Sequence, residues 1–174
     1  MTFPAYGLRA FSQKITTLTS LTFFNLDPFN STDIFFIADS FPFLEELGLS
    51  YVIPCLRYCT SIPSIVEPLS LVLFKLRKVN LSGHDYINDK LIFHLFKNCK
   101  LLEEANLSHC IHLTNAGIAF ALLERPTLKS LFFDILEEWA MLFAFTRNCP
   151  SLSEITVRYC RTVNNVENFN SFVV

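Results

Sequence analysis

The segment His109-Cys110-Ile111-His112 places two histidines and a cysteine within four residues. Both residue types are common zinc ligands, and a closed structural zinc site needs four of them. His84, one sequence repeat earlier, is expected to lie roughly adjacent and is a further candidate. The motif therefore leaves two interpretations open, a metal site or a set of residues in a structural turn.

A second motif, Cys55-Leu-Arg-Tyr-Cys59, has the spacing C-x₃-C without a second pair of ligands. Such an isolated pair is a weak indication of a metal site. A buried cysteine packs as a small apolar side chain and needs no reactivity. We expect this structural role for both residues.

Glu45-Glu46 and Glu137-Glu138 are pairs of adjacent carboxylates, a residue type that can serve acid–base catalysis. Neighbouring side chains in a strand point to opposite faces, so neither pair forms a catalytic dyad. No segment resembles the G-x-S-x-G turn of serine hydrolases or the cysteine segment of papain-like proteases. The sequence predicts a protein that is not an enzyme and uses no cofactor or metal.

The composition excludes several function classes. The 174 residues are 51% apolar and 17% charged, which excludes a disordered chain, and the formal net charge of −2 gives no basic footprint for nucleic acid. No apolar run approaches the roughly 20 residues that a membrane-spanning helix needs, and the N-terminus has no signal-peptide pattern. We expect a cytoplasmic or nuclear protein whose six cysteines are reduced.

The pattern L-x-x-L-x-L recurs along the chain at intervals of 26, 32, 26, 26 and 24 residues. All eighteen of its anchor positions are apolar, and the first is always leucine. At this apolar content, the chance of such agreement is about one in 10⁵. The six copies begin at Leu18, Leu44, Leu76, Leu102, Leu128 and Leu152.

After each copy the apolar period changes from 2 to about 3.6, so each repeat is predicted to be a strand, a turn and a helix. The interval over 50–75 holds three prolines and is predicted to be an irregular repeat. Parallel strands are expected near 21–24, 47–50, 79–82, 105–108, 131–134 and 155–158. Helices are expected near 31–40, 64–75, 88–98, 115–124 and 137–147.

The cysteines follow the repeat. Cys99 and Cys149 are 50 residues apart, as are Cys110 and Cys160, and 50 residues correspond to two repeats. The members of each pair therefore occupy equivalent positions, at a helix end or in a turn, rather than converging on one point. We expect six free thiols.

The segments Asn148-Cys149-Pro150-x-Leu152 and His109-Cys110-x-x-Leu113 resemble the cysteine-containing leucine-rich repeat of F-box proteins. Leu76–Gly83 is similar to plant members of that family, and the resemblance covers about residues 15–165. It implies one α/β domain over 1–174, a right-handed, ribonuclease-inhibitor-like horseshoe. Its parallel strands line the concave face, its helices lie on the convex face, and a polar tail follows over 164–174.

In that family an N-terminal F-box binds a Skp-type adaptor of a cullin ubiquitin ligase, and the repeats capture the substrate. The resemblance thus implies a protein-binding module for ubiquitin-dependent degradation. Only seventeen residues precede Leu18, so we expect a fragment or shortened relative that does not bind the adaptor. A metal-binding or enzymatic protein on this scaffold, and a fragment without a partner, remain as alternatives.

Strand alternation turns the second, fourth and sixth positions after each first leucine away from the core, onto the concave face. Concave faces of this kind are the usual binding surfaces of repeat proteins. Two aromatic residues, Phe24 and Phe132, are among those predicted to point outward. The candidate protein-binding residues are Glu46, Lys78, Asn80, Glu104, Asn106, Phe132, Asp134 and Arg158.

Overall fold

The computed structural model describes residues 5–24, 31–50, 71–84, 87–136, 138, 140–160 and 172–173. These residues contain a single sheet in which each strand pairs with the next along the chain. The first six strands are parallel, and the seventh is antiparallel to the sixth. The strands are β1 Ser20–Phe24, β2 Glu46–Ser50, β3 Lys78–Asn80, β4 Glu104–Asn106, β5 Ser130–Leu136, β6 Glu154–Cys160 and β7 Phe172–Val173. The predicted α/β fold with six parallel strands is confirmed.

Within the described ranges, five helices accompany the sheet: α1 Ala5–Ser12, α2 Ser31–Ser40, α3 Asp89–Asn98, α4 Asn115–Leu123 and α5 Ala140–Asn148. Helix α1 and strand β7 were not predicted from the sequence. The last predicted helix was placed too early, because β5 continues to Leu136 before α5 begins at Ala140. The helix predicted over 64–75 and the irregular interval lie largely outside the described residues.

Two strands are shorter than predicted, and asparagine is the reason. The Oδ1 atom of Asn80 accepts a hydrogen bond from the backbone N–H of Ser82 at 3.0 Å. Asn106 accepts in the same way from Ser108 at 3.1 Å. A side-chain oxygen that bonds the backbone two residues later bends the chain into a turn. Strands β3 and β4 therefore end at these residues instead of continuing to 82 and 108.

The core lies between one face of the sheet and the helices. Leu76, Leu102 and Leu128 are completely buried at the first repeat position. Strand residues such as Val79 and helix residues such as Phe96 belong to the same buried cluster. Burial of such side chains contributes about 1.5–3 kcal/mol each. The helices accordingly cover one face of the sheet, and we call the opposite face the open face.

One close contact joins α3 to α4. The carboxylate of Asp89 accepts hydrogen bonds from the backbone N–H and the hydroxyl of Thr114, at 2.9 and 2.8 Å. Thr114 is the N-cap of α4, and its hydroxyl accepts from the N–H of Gly117 at 2.9 Å. A Cβ atom on Gly117 would lie 1.9 Å from Cγ of Asp89. Glycine at this position is thus what lets the carboxylate reach the start of the next helix.

The described cysteines are structural. Cys99, Cys110 and Cys149 are free and buried. Cys99 and Cys149 lie directly after α3 and α5, as predicted, and the Cys110 thiol donates to the carbonyl oxygen of Leu81 at 3.3 Å. Burial raises the pKa of Cys99 and of Cys110 to about 12. Cys55, Cys59 and the side chain of Cys160 lie outside what the structure describes.

An arginine occupies the repeat position between the two helix-end cysteines. Arg125 is 6% exposed, and its Nη1 donates to the carbonyl oxygen of Cys99 at 2.9 Å. The Cys149 thiol in turn donates to the carbonyl oxygen of Arg125 at 3.3 Å. Burial lowers the pKa of this guanidinium. Three consecutive repeats are therefore linked through one residue, by its guanidinium on one side and its backbone carbonyl on the other.

Replacing Gly117 with alanine tests the contact with Asp89. We expect Gly117→Ala to lower the free energy of unfolding by about 1–3 kcal/mol, because the added methyl group displaces the carboxylate. The matched control is Gly7→Ala in α1, where a Cβ atom would have no neighbour within 4 Å. That change should raise the free energy of unfolding by about 0.5–1 kcal/mol. Urea unfolding followed by circular dichroism measures both, and equal effects at the two sites would contradict the proposed contact.

The cysteine environment predicts slow alkylation in the folded state. At pH 8, a thiol whose pKa is about 12 is almost entirely protonated, so Cys99 and Cys110 should resist iodoacetamide. Mass spectrometry should find both unmodified in native protein and all six cysteines modified after unfolding without reductant. Rapid native labelling of Cys99, or a disulfide in the unfolded sample, would refute this assignment.

Candidate functional site

The open face carries a shallow groove of about 300 Å³ that crosses strands β1 to β5. Six of the eight candidate binding residues line it, and Asp134 and Arg158 lie outside this lining. The complete lining is Ser20, Thr22, Glu46, Leu47, Gly48, Lys78, Val79, Asn80, Glu104, Ala105, Asn106, Ser130 and Phe132. Most of these positions are those that strand alternation predicts to face away from the core.

A row of charges runs along the groove. Nζ of Lys78 lies 2.8 Å from Oε1 of Glu104 and 3.8 Å from Oε1 of Glu46. The hydrogen bond and the charge of Glu104 raise the pKa of Lys78 above its ordinary value. All three side chains are nearly half exposed, which leaves their charges accessible to a partner. We call Glu46, Lys78 and Glu104 the groove row.

A second charged row lies at the residues that directly precede β2 to β5, and it was not predicted from the sequence. Arg77 lies 3.4 Å from Glu45 and 2.8 Å from Glu103, and Lys129 lies 2.9 Å from Glu103. The Lys129 hydrogen bond lowers the pKa of Glu103 most strongly, with a smaller contribution from Arg77. The alternation of Glu-Glu and Arg-Lys pairs at one repeat position is the signal that would have revealed this row.

Two candidate residues have a structural role. The Oδ1 atoms of Asn80 and Asn106 are engaged in the turns that end β3 and β4. At the sixth repeat position, Ser50 and Ser108 are buried. Ser108 lies in the turn after β4, where its N–H and hydroxyl donate to Oδ1 of Asn106, and Ser50 is the last residue of β2. A side chain at the sixth position is therefore not always exposed. Phe24, by contrast, is 62% exposed, as predicted.

Four side chains meet at the end of the groove near β5 and β6. The Arg158 guanidinium lies over the ring of Phe132, with Cζ 5.3 Å from the ring centroid. Nε of Arg158 is 3.9 Å from Oδ1 of Asp134, and Nη1 contacts Nε2 of His109. Oδ2 of Asp134 accepts from the backbone N–H of His109 at 2.6 Å and lies 3.0 Å from its Nδ1. We call these four residues the His109 cluster.

The geometry of His109 does not suit a metal. One ring nitrogen faces the carboxylate of Asp134 and the other faces a guanidinium, an arrangement that fits a neutral imidazole protonated at Nδ1. Two other candidate ligands have backbone partners instead. The Cys110 thiol donates to the carbonyl oxygen of Leu81, and the His84 ring contacts the carbonyl oxygen of Leu49. Within the described ranges, no three metal-ligating side chains are grouped.

Among the helices that the structure describes, none is long and apolar enough to cross a membrane.

The His109 cluster predicts a defined imidazole tautomer. In the wild-type protein, the ¹⁵N spectrum of neutral His109 should show the proton on Nδ1, because Asp134 accepts it and Arg158 donates to Nε2. Asp134→Ala should remove this preference, while His94, which lies on α3, keeps its own tautomer. A proton on Nε2 of wild-type His109 would contradict the observed arrangement.

No protein-family model matches the sequence, and a search of curated proteins found no match. Among solved structures, the chain is similar to the tropomodulin C-terminal domain of Caenorhabditis elegans, with a TM-score of 0.60 and 11% sequence identity. The alignment covers 86% of this chain and 93% of that one. Identity this low shows the fold alone. The expected relationship to F-box proteins has no support from these comparisons, whereas the leucine-rich-repeat-like fold is shared with the tropomodulin domain.

Proposed function

We propose that the chain is a leucine-rich-repeat solenoid that binds a protein partner through its open face, and that it is not an enzyme. The observation that carries the proposal is the groove across β1 to β5, whose lining includes six residues predicted as binding positions. Repeat proteins use such extended faces for recognition because each repeat adds one row of side chains.

The His109 cluster supports the proposal, because it offers an aromatic residue and an arginine at one end of the groove. Arg158 is held by Phe132, Asp134 and His109 together, so little side-chain freedom remains to be lost on binding. Aromatic and arginine side chains contribute disproportionately to interface energies. The groove row adds charges that select the partner's orientation.

A finer proposal is that the module recognises substrates of an F-box ubiquitin ligase in the cytoplasm or nucleus, for proteasomal degradation. Its support is the sequence resemblance around Cys110 and Cys149, two cysteines that lie in a turn and at a helix end of the repeat. A captured partner should then become longer-lived when the proteasome is inhibited or the chain is depleted. A partner whose half-life responds to neither treatment would refute this finer proposal.

Paired variants on opposite faces test the binding surface. The double variant Phe132→Ala/Arg158→Ala should weaken capture of a specific partner by about 1–3 kcal/mol, because it removes both anchors of the groove end. The matched control is Phe143→Ala/Arg147→Ala on α5, where Phe143 is 78% exposed. Quantitative mass spectrometry of proteins captured from cell extract, followed by Kd measurement on the identified partner, compares the two. Equal losses, or a loss confined to the α5 variant, would show that the partner binds elsewhere.

A further inference from the structure

The excess negative charge of the chain is concentrated on the open face. The second, fourth and sixth positions of the six repeats contain two cations, Lys78 and Arg158, and four carboxylates. The remaining 12 basic residues (14 − 2) and 12 acidic residues (16 − 4) balance one another. The formal net charge of −2 therefore equals that of this face. Its four carboxylates belong to Glu46, Glu104, Asp134 and Glu154.

Three of these carboxylates form a regular series. Glu46, Glu104 and Glu154 lie in β2, β4 and β6, and the strand register aligns them in one row with Lys78 and Ser130 between them. Adjacent strands are about 4.8 Å apart, so the backbone positions of neighbouring members of the series are about 10 Å apart. A partner that lies across the strands meets a negative charge at every second strand.

The series retains free acceptor capacity. Lys78 contacts Oε1 of Glu46 and Oε1 of Glu104, and Oε2 of each carboxylate has no hydrogen bond or ion pair among the described residues. In the same part of the chain, Glu154 is exposed and has no ion pair. Ammonium and guanidinium groups are the donors that such carboxylates bind most strongly.

The groove does not enclose a helix, because its volume of about 300 Å³ is spread over five strands and an α-helix with its side chains is about 10–12 Å across. An extended polyproline-II segment has three residues per turn and rises about 3.1 Å per residue. Every third side chain of such a segment points the same way, at a spacing of about 9.3 Å. This spacing matches the backbone positions of the series, although Lys78 draws Oε1 of Glu46 and Oε1 of Glu104 closer together than that.

We infer that the groove and the adjoining strand β6 bind an extended basic segment of the partner, in which lysine or arginine recurs at every third residue and faces Glu46, Glu104 and Glu154. The inference rests on the proposed function, because it describes the partner of the same open face. It predicts that both the positive charge of the segment and the spacing of its cations determine the affinity.

Two synthetic peptides of identical composition separate these requirements. One repeats Lys-Pro-Pro four times, and its isomer carries the four lysines contiguously before eight prolines. Fluorescence anisotropy with fluorescein-labelled peptides should give at least about tenfold tighter binding of the spaced peptide, and weaker binding as salt increases. Equal affinity for the two isomers, or no binding of the spaced peptide, would overturn the inference.

Charge-matched variants locate the binding site. Glu104→Gln/Glu154→Gln should weaken binding of the spaced peptide by about tenfold or more. The control Asp39→Asn/Glu138→Gln removes the same charge from two exposed residues outside the face and should have little effect. Circular dichroism confirms that both variants fold. If both double variants lost the same amount of affinity for the spaced peptide, net charge alone would explain the binding. The groove would then be rejected as the binding site.

A random peptide library distinguishes failure of this inference from failure of the proposed function. Selected peptides that carry no regular cations but lose binding to Phe132→Ala would overturn the basic segment and leave the open face as the binding surface. Selected peptides that bind Phe132→Ala and Glu104→Gln/Glu154→Gln as well as wild type would overturn both.

Discussion

In-register parallel pairing is the constraint on which the other features depend. The carbonyl oxygen at the start of each strand accepts two backbone N–H groups of the next repeat, as Glu45 does from Arg77 and Lys78. Repetition of this pattern places the same repeat position side by side in successive strands. Leucines at equivalent positions then form one core, and charges at equivalent positions form rows. A shift of one residue would exchange the two faces of a strand.

The sequence predicted the elements that this periodicity controls. Leucine at the first position and alternation within each strand located six strands, and the cysteine spacing located helix ends such as Cys99. Elements outside the repeat were missed: α1 precedes the first copy, and β7 depends on antiparallel pairing with β6 rather than on a pattern of its own. Strand ends at Asn80 and Asn106 depended on side-chain hydrogen bonds that a count of apolar residues does not contain.

The same distinction applies to the candidate site. Strand alternation placed Glu46, Lys78 and Glu104 on one face correctly, because that inference needs only the period of a strand. The His109 cluster was not predicted, since it joins a turn residue to side chains of two later strands, 25 and 49 residues away. His109 adopts a left-handed backbone conformation, with φ of 59°. Its side-chain direction therefore depends on a turn geometry that residue spacing alone does not specify.

Arg125 has a consequence for the way the repeats fold together. In repeat proteins, stability is approximately a sum of individual units and their nearest-neighbour interfaces. A guanidinium that is 6% exposed, with Nε unpartnered among the described residues, makes its own layer unfavourable in isolation. The guanidinium donates to the carbonyl oxygen of Cys99 on one side, and the backbone carbonyl of Arg125 accepts from the Cys149 thiol on the other. The central layers consequently gain cooperativity, because separation of either flanking layer removes a hydrogen-bond partner from a polar group of Arg125.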